Sequence, residues 1–138
     1  MSLEDNKAVV RRYLEDGWGK GDLMVLDELI APVAVHPYYR EYPAGAEGFK
    51  EAIAGPRRTL PDLHITVDDL VAEGDRVVAR YIWDGTDLGG WPGMPPTGKR
   101  VKTTGVDIYR VIDGKIVECW TVLDELALRQ QLGLVAEG

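Results

Sequence analysis

The second half of the chain constrains the fold most. Residues 63–86 read "LHITVDDLVAEGDRVVARYIWDGT", two strand-like runs meeting at "EGDR". Residues 101–123 read "VKTTGVDIYRVIDGKIVECWTVL", two more runs meeting at "IDGK". Strands that follow one another through tight turns pair antiparallel, whereas parallel strands need a long crossover. A βαβ nucleotide-binding fold is therefore excluded, and no Gly-rich phosphate loop stands in the right context.

The rest of the chain reads as helices. "NKAVVRRYLEDGWGKGD" carries an apolar stripe at Val9, Val10, Tyr13 and Leu14, punctuated by Gly17, Gly19 and Gly21. Asp22 reads as the N-cap of a second helix, "LMVLDELI", closed by Pro32. "VAVHP" fits a short strand, and "EGFKEAIAGPRR" a third helix with Phe49, Ala52 and Ile53 inward. After the sheet, Asp124 begins a last helix, "ELALRQQLG", ended by Gly133. Helices beside an antiparallel sheet must cover one of its faces, so the expected class is α+β. The expected organisation is a single domain over residues 1–138.

Composition narrows the partners. A net charge of −7 over 138 residues disfavours nucleic acid and anionic membrane surfaces. The one cysteine, Cys119, cannot form an internal disulfide, which fits a reducing compartment and a cytoplasmic protein. No stretch is long and apolar enough for a bilayer-spanning helix.

Which side chains share a face depends on the last turn. A three-residue "IDG" turn sets Asp107 opposite Cys119 and Gly105 opposite Thr121. A two-residue "DG" turn sets Asp107 opposite Trp120. Composition favours the first. One face then holds Ala79, Tyr81, Trp83, Gly105, Asp107, Tyr109, Cys119 and Thr121, a mixture of aromatic, small and polar groups that suits a ligand pocket. The other holds Arg80, Ile82, Val106, Ile108, Arg110 and Trp120, which suits a homodimer interface on the outer face of the sheet.

Asp107 is the leading candidate for chemistry. A carboxylate beside Tyr81 and Tyr109 in an apolar cavity has its pKa raised and becomes a better base. The plain alternative is a solvated position or a salt bridge to Arg80 or Arg110. His36 is a candidate acid–base partner for Asp107 or a ligand for a substrate oxygen; a structural hydrogen bond is equally compatible. Tyr81, Trp83, Tyr109, Cys119 and Thr121 are expected to line the pocket. The long loop "DLGGWPGMPPTGKR" supplies Trp91 and Met94 as a flap over its mouth or as a neighbour contact. Asp124 is expected to cap its helix, and His64 to lie at the surface. Two histidines without clustered carboxylates make no metal site.

With "GMPPTGKRV", "YRVIDGKIVECW" and "LRQQLG" in this order, the chain resembles the SnoaL-like polyketide cyclases of the nuclear-transport-factor-two-like superfamily. The resemblance implies a curved sheet wrapped into a cone around a cavity, a homodimer through the outer face, and the three-residue turn. It also implies ring closure by intramolecular aldol condensation without metal or cofactor. The family's general base aligns with Thr121, its assisting histidine with Asp107 and its asparagine with His36. A threonine hydroxyl is too weakly basic to replace that carboxylate. The expectation is thus a cofactor-independent enzyme acting on a small or medium apolar carbonyl compound, with Asp107 as base and His36 assisting. Its rivals are an epoxide-hydrolase-like enzyme and a binding protein of the same fold for a small apolar or aromatic ligand.

Overall fold

The computed structural model describes residues 2–135. Helix α1 spans Leu3–Arg12 and continues without a break as a π-helical segment, Tyr13–Gly19. A 3-10 turn, Leu23–Val25, leads into the short α2, Leu26–Leu29. Helix α3 is Ala46–Thr59, the strands are β1 His64–Glu73, β2 Arg76–Thr86, β3 Arg100–Ile112 and β4 Lys115–Leu123, and α4 is Glu125–Gln131. The α1 start is set by a capping box. Ser2 Oγ accepts the Asp5 N–H, and Asp5 returns the bond to the Ser2 N–H. Asp124 caps α4 as expected, its Oδ1 accepting the Ala127 N–H at 3.0 Å.

Two local expectations are corrected. Asp22 makes no side-chain cap, because the chain enters α2 through a 3-10 turn. The "VAVHP" segment is not a strand. Pro32 precedes it and Pro37 ends it, and both lack the N–H groups a ladder needs. The chain touches the sheet edge just ahead of it, where Ile30 bridges Ile116 and the Ala31 N–H bonds the Ile116 carbonyl at 2.9 Å.

The four strands form one curved antiparallel sheet in the order β1-β2-β3-β4. The β3–β4 turn differs from the favoured reading. Asp113 (φ 50°) and Gly114 (φ 77°) are both left-handed, and Ile112 opposes Lys115. This is a two-residue turn of the kind that Asp-Gly favours. A bulge follows at once: Arg110 pairs with Glu118 while Val111 pairs with Ile116, leaving Val117 as the extra residue. Asp107 therefore opposes Thr121, and Tyr109 opposes Cys119. The expected pairs were each off by two residues. Side chains alternate with period two, so the expected faces survive the change of turn.

Burial follows that alternation along β2 and β3. Ala79, Tyr81, Trp83, Thr103, Asp107 and Tyr109 are buried, whereas Arg80, Val106 and Ile108 are exposed. The buried face packs against Val10, Tyr13 and Leu14 of the first helical run and Phe49 and Ile53 of α3 in one core. Among the described residues, no helix is long and apolar enough to cross a membrane.

Candidate active site

The concave face does not close completely on the helices. A cavity of about 410 Å³ remains, within the range of small-molecule sites. The sheet contributes Tyr81, Trp83, Asp107 and Thr121 to its lining; the loop after α2 contributes His36, Tyr38 and Tyr39. The π-helical segment adds Tyr13 and Trp18, the long loop adds Trp91, Pro92 and Met94, and α4 adds Leu128 and Arg129.

Cross-strand size matching explains how Asp107 is held. Ala79 stands opposite Asp107, and Gly105 opposite Tyr81. A large side chain faces a glycine and leans over it toward its diagonal neighbour. The Tyr81 hydroxyl donates to Asp107 Oδ1 at 2.9 Å, and the Tyr109 hydroxyl donates to Oδ2. Asp107 is only 4% exposed. Burial pushes its carboxyl up to about 6, against the lowering effect of hydrogen bonds from Tyr109, Tyr81 and Thr121. The salt-bridge alternative fails, since Arg80 pairs with Asp68 and Arg110 with Asp75 on the outer side. Burial beside Asp107 pushes the Tyr81 phenol up, so it remains a neutral donor.

His36 is buried in the same cavity but makes no hydrogen bond to Asp107 among the described residues; a pairing of the two is corrected to a shared cavity. Its Nδ1 accepts the Tyr38 N–H at 3.2 Å, and its ring meets Phe49 edge-on at 5.2 Å. Burial pushes the imidazole down to about 4. At neutral pH the ring is uncharged, and with Nδ1 accepting, its proton sits on Nε2. His36 is thus a hydrogen-bond donor rather than a cation.

Tyr109 and Cys119, expected on the pocket wall, stand behind it. Both are buried but neither lines the cavity. Tyr13 packs edge-on against Tyr109 at 5.8 Å and seals that end of the strands. Burial pushes the Cys119 thiol up, and its Sγ lies 3.5 Å from Thr121 Oγ1, so it is no nucleophile. Trp83 lines the wall and meets Trp18 at 5.3 Å, while the Trp18 indole N–H donates to the Tyr13 hydroxyl at 3.1 Å. Trp91 and Met94 line the mouth. Asp124 is absent from this lining, and His64 is exposed. No group of three or more His, Cys, Asp or Glu among the described residues is placed to hold a metal ion.

The sequence reading missed the residue that seats the long loop. Asp87 is fully buried; its Oδ1 accepts the Gly90 N–H at 3.0 Å, and its Oδ2 accepts the Thr97 N–H at 3.0 Å and the Thr97 hydroxyl at 2.8 Å. Thr59 Oγ1 adds a bond to the Gly90 carbonyl at 2.8 Å. The signal was present in "DLGG", an aspartate ahead of two glycines, which is the pattern of a side chain closing its own turn.

A curved antiparallel sheet with helices over its concave face defines an α+β protein of the nuclear-transport-factor-two-like class. Within that class, the chain belongs to the SnoaL-like polyketide cyclase family, whose family model matches residues 8–132. TsrD of Streptomyces laurentii is 32% identical with a TM-score of 0.88, over 98% of this chain and 99% of its own. AclR of Streptomyces galilaeus, a candidate hydroxylase, is 30% identical with a TM-score of 0.85, over 99% and 86%. IdmH of Streptomyces antibioticus, a candidate polyketide cyclase, is 34% identical with a TM-score of 0.79, over 93% and 98%. No curated protein matches the chain.

Proposed function

We propose that this protein is an enzyme that removes a proton from the carbon next to a carbonyl in a small or medium apolar compound. Asp107 is the base, and His36 donates through Nε2–H to the carbonyl oxygen. The observation that carries this reading is a buried carboxylate in a cavity wall, pushed up to about 6. Such a group is mostly ionised at neutral pH yet more basic than an exposed aspartate. In the step itself, the C–H bond breaks, its proton goes to an Asp107 oxygen, and its electron pair forms an enolate. Attack of that enolate on a second carbonyl makes a C–C bond and closes a ring. Return of the proton to the new alkoxide restores Asp107. The steps as written require neither metal nor cofactor. Trp18 and Trp83 offer flat apolar walls to a ligand with aromatic or extended character.

A second reading, a binding protein without turnover, has its own support. Two phenols already satisfy Asp107, as they would a purely structural carboxylate. One assay separates them: NMR of cyclic and aryl alkyl monoketones in D2O, whose α-protons exchange slowly without a catalyst. Accelerated loss of the α-proton signal marks an enzyme. Binding across the panel with no exchange marks a binding protein and sinks the first reading.

The acid limb of the pH–rate profile offers a further check. Exchange rises with pH as Asp107 ionises near 6. Tyr109→Phe deletes the hydrogen bond that most lowers the Asp107 pKa, so the limb moves to higher pH, by on the order of one unit.

The outer face supports the homodimer reading. Trp120 is 53% and Val122 74% exposed there, beside exposed Val106 and Ile108. Contiguous exposed apolar side chains of this size mark an interface. Light scattering at low micromolar concentration should give twice the chain mass, and Trp120→Glu should give the monomer; a monomeric wild type ends this proposal.

A further inference from the structure

The two phenols that hold Asp107 are not equivalent. Tyr109 is completely buried and lies behind the wall, whereas Tyr81 lines the cavity. Tyr81 is also placed by a specific vacancy. A Cβ at Gly105 would sit 2.6 Å from both Cζ and Oη of Tyr81, so the ring can lie across position 105 only because that residue is glycine. The result is a neutral donor on the cavity wall, 2.9 Å from one oxygen of the base.

The geometry points to Tyr81 as a second catalytic residue, whose phenol transfers its hydrogen bond from Asp107 to the substrate's carbonyl oxygen as the α-proton moves. This inference rests on the proton-abstraction reading above and adds a residue to it. The distances close. A reacting α-carbon sits about 3–3.5 Å from the base. Its carbonyl oxygen is about 2.4 Å from that carbon by covalent geometry. A useful donor lies about 2.7–3.1 Å from that oxygen. With Tyr81 Oη 2.9 Å from Asp107 Oδ1, base, carbon, oxygen and phenol form a closed four-membered path.

The charges move in the same sense. Before the step, Asp107 carries the negative charge and the phenol bonds it. The C–H bond breaks, the proton goes to Asp107, and the carbonyl π electrons move onto the substrate oxygen. The charge has then left Asp107 for the enolate oxygen, and the phenol follows it by rotating its O–H. No proton leaves Tyr81, because burial pushes its phenol up and keeps it protonated. His36 and Tyr81 would share the enolate oxygen, which can accept from both.

The test compares Tyr81→Phe with Tyr109→Phe in the D2O exchange assay, across pH. A catalytic Tyr81 gives a fall in the high-pH plateau of kcat of about 10²–10³-fold in Tyr81→Phe, the usual size for one lost oxyanion donor. Tyr109→Phe shows the limb shift with a much smaller fall. Gly105→Ala keeps the phenol but displaces it, and matches the Tyr81→Phe plateau. If Tyr81→Phe only shifts the acid limb and its plateau stays within tenfold of wild type, Tyr81 merely positions Asp107 and the inference is overturned. A second readout needs no turnover. Asp107→Asn presents a neutral side chain, like the protonated base, and should bind substituted 2-naphthols more tightly as their acidity rises, followed by naphtholate absorbance. Adding Tyr81→Phe should weaken the most acidic naphthol at least tenfold. Tyr81-dependent naphtholate binding by a protein without exchange activity supports the donor and rejects the assigned reaction. Equal naphthol binding with and without the phenol rejects the donor.

Discussion

Asp107→Asn is expected to abolish α-proton exchange and, at the same time, to make the protein more stable at pH 7.5. The activity loss should be about 10²–10⁴-fold, the usual contribution of a positioned general base, with ligand binding retained. The stability gain follows from linkage. The folded carboxyl is pushed from 3.8 up to about 6, so between those values the folded chain holds more protons than the unfolded one. Stability from this group is fully present below about pH 4 and is lost as pH rises through 6. Two pKa units correspond to about 3 kcal/mol, the net cost of holding the hydrogen-bonded charge in the wall at neutral pH. Asparagine carries no charge and should recover part of that, about 1–3 kcal/mol in a urea melt at pH 7.5. The variant's stability should also lose its decline between pH 4 and 7. A variant that is inactive and less stable at pH 7.5 would show that Asp107 is a structural linchpin rather than a strained catalytic group.

Asp87→Ala is expected to be the most damaging single change outside the core proper. It removes a fully buried carboxylate that accepts from the Gly90 N–H, the Thr97 N–H and the Thr97 hydroxyl. Three hydrogen bonds to one carboxylate are lost, and the Thr97 donors can turn to water because that residue is exposed, so a loss of about 2–4 kcal/mol is expected in denaturant. Trp91 and Met94 hang from this seat and line the cavity mouth. Ligand affinity should therefore fall at least tenfold even at temperatures where the chain stays folded. Asp87→Asn keeps one acceptor oxygen and should fall between the two. Wild-type affinity in a folded Asp87→Ala protein would mean that the loop plays no part in the site.

Much of this architecture is legible in the sequence. Hairpin chemistry at "EGDR" and "IDGK" determined the antiparallel sheet, and two-residue alternation placed Tyr81, Trp83, Asp107 and Thr121 on one face. What failed has identifiable causes. A three-residue "IDG" turn and a chemically sensible face go together only when β4 is regular. The molecule reaches the same face with a two-residue turn and a bulge at Val117, and a bulge without glycine leaves no mark in composition. Alternation says which face Tyr109 and Cys119 share with Asp107, not how far along that face the cavity extends. Tyr13, more than ninety residues away in sequence, closes that end. His36 sits in a loop with no period, so its burial came from tertiary packing against Phe49 rather than from its own segment.

The bulge at Val117 has a consequence for how such chains tolerate change in length. Ile116 and Cys119 both face inward although three steps of chain separate them, and the extra residue Val117 absorbs the odd step. Deleting Val117 therefore leaves strict alternation, with Cys119 and Thr121 still inward and Trp120 and Val122 still outward. A strand of the present length laid out without the bulge would instead turn its far half over, with Trp120 and Val122 toward the cavity and Cys119 and Thr121 toward solvent. The bulge thus gives β4 one residue of slack. A one-residue deletion at Val117 should keep both the pocket wall and the outer surface, as should the same deletion in the long loop after β2.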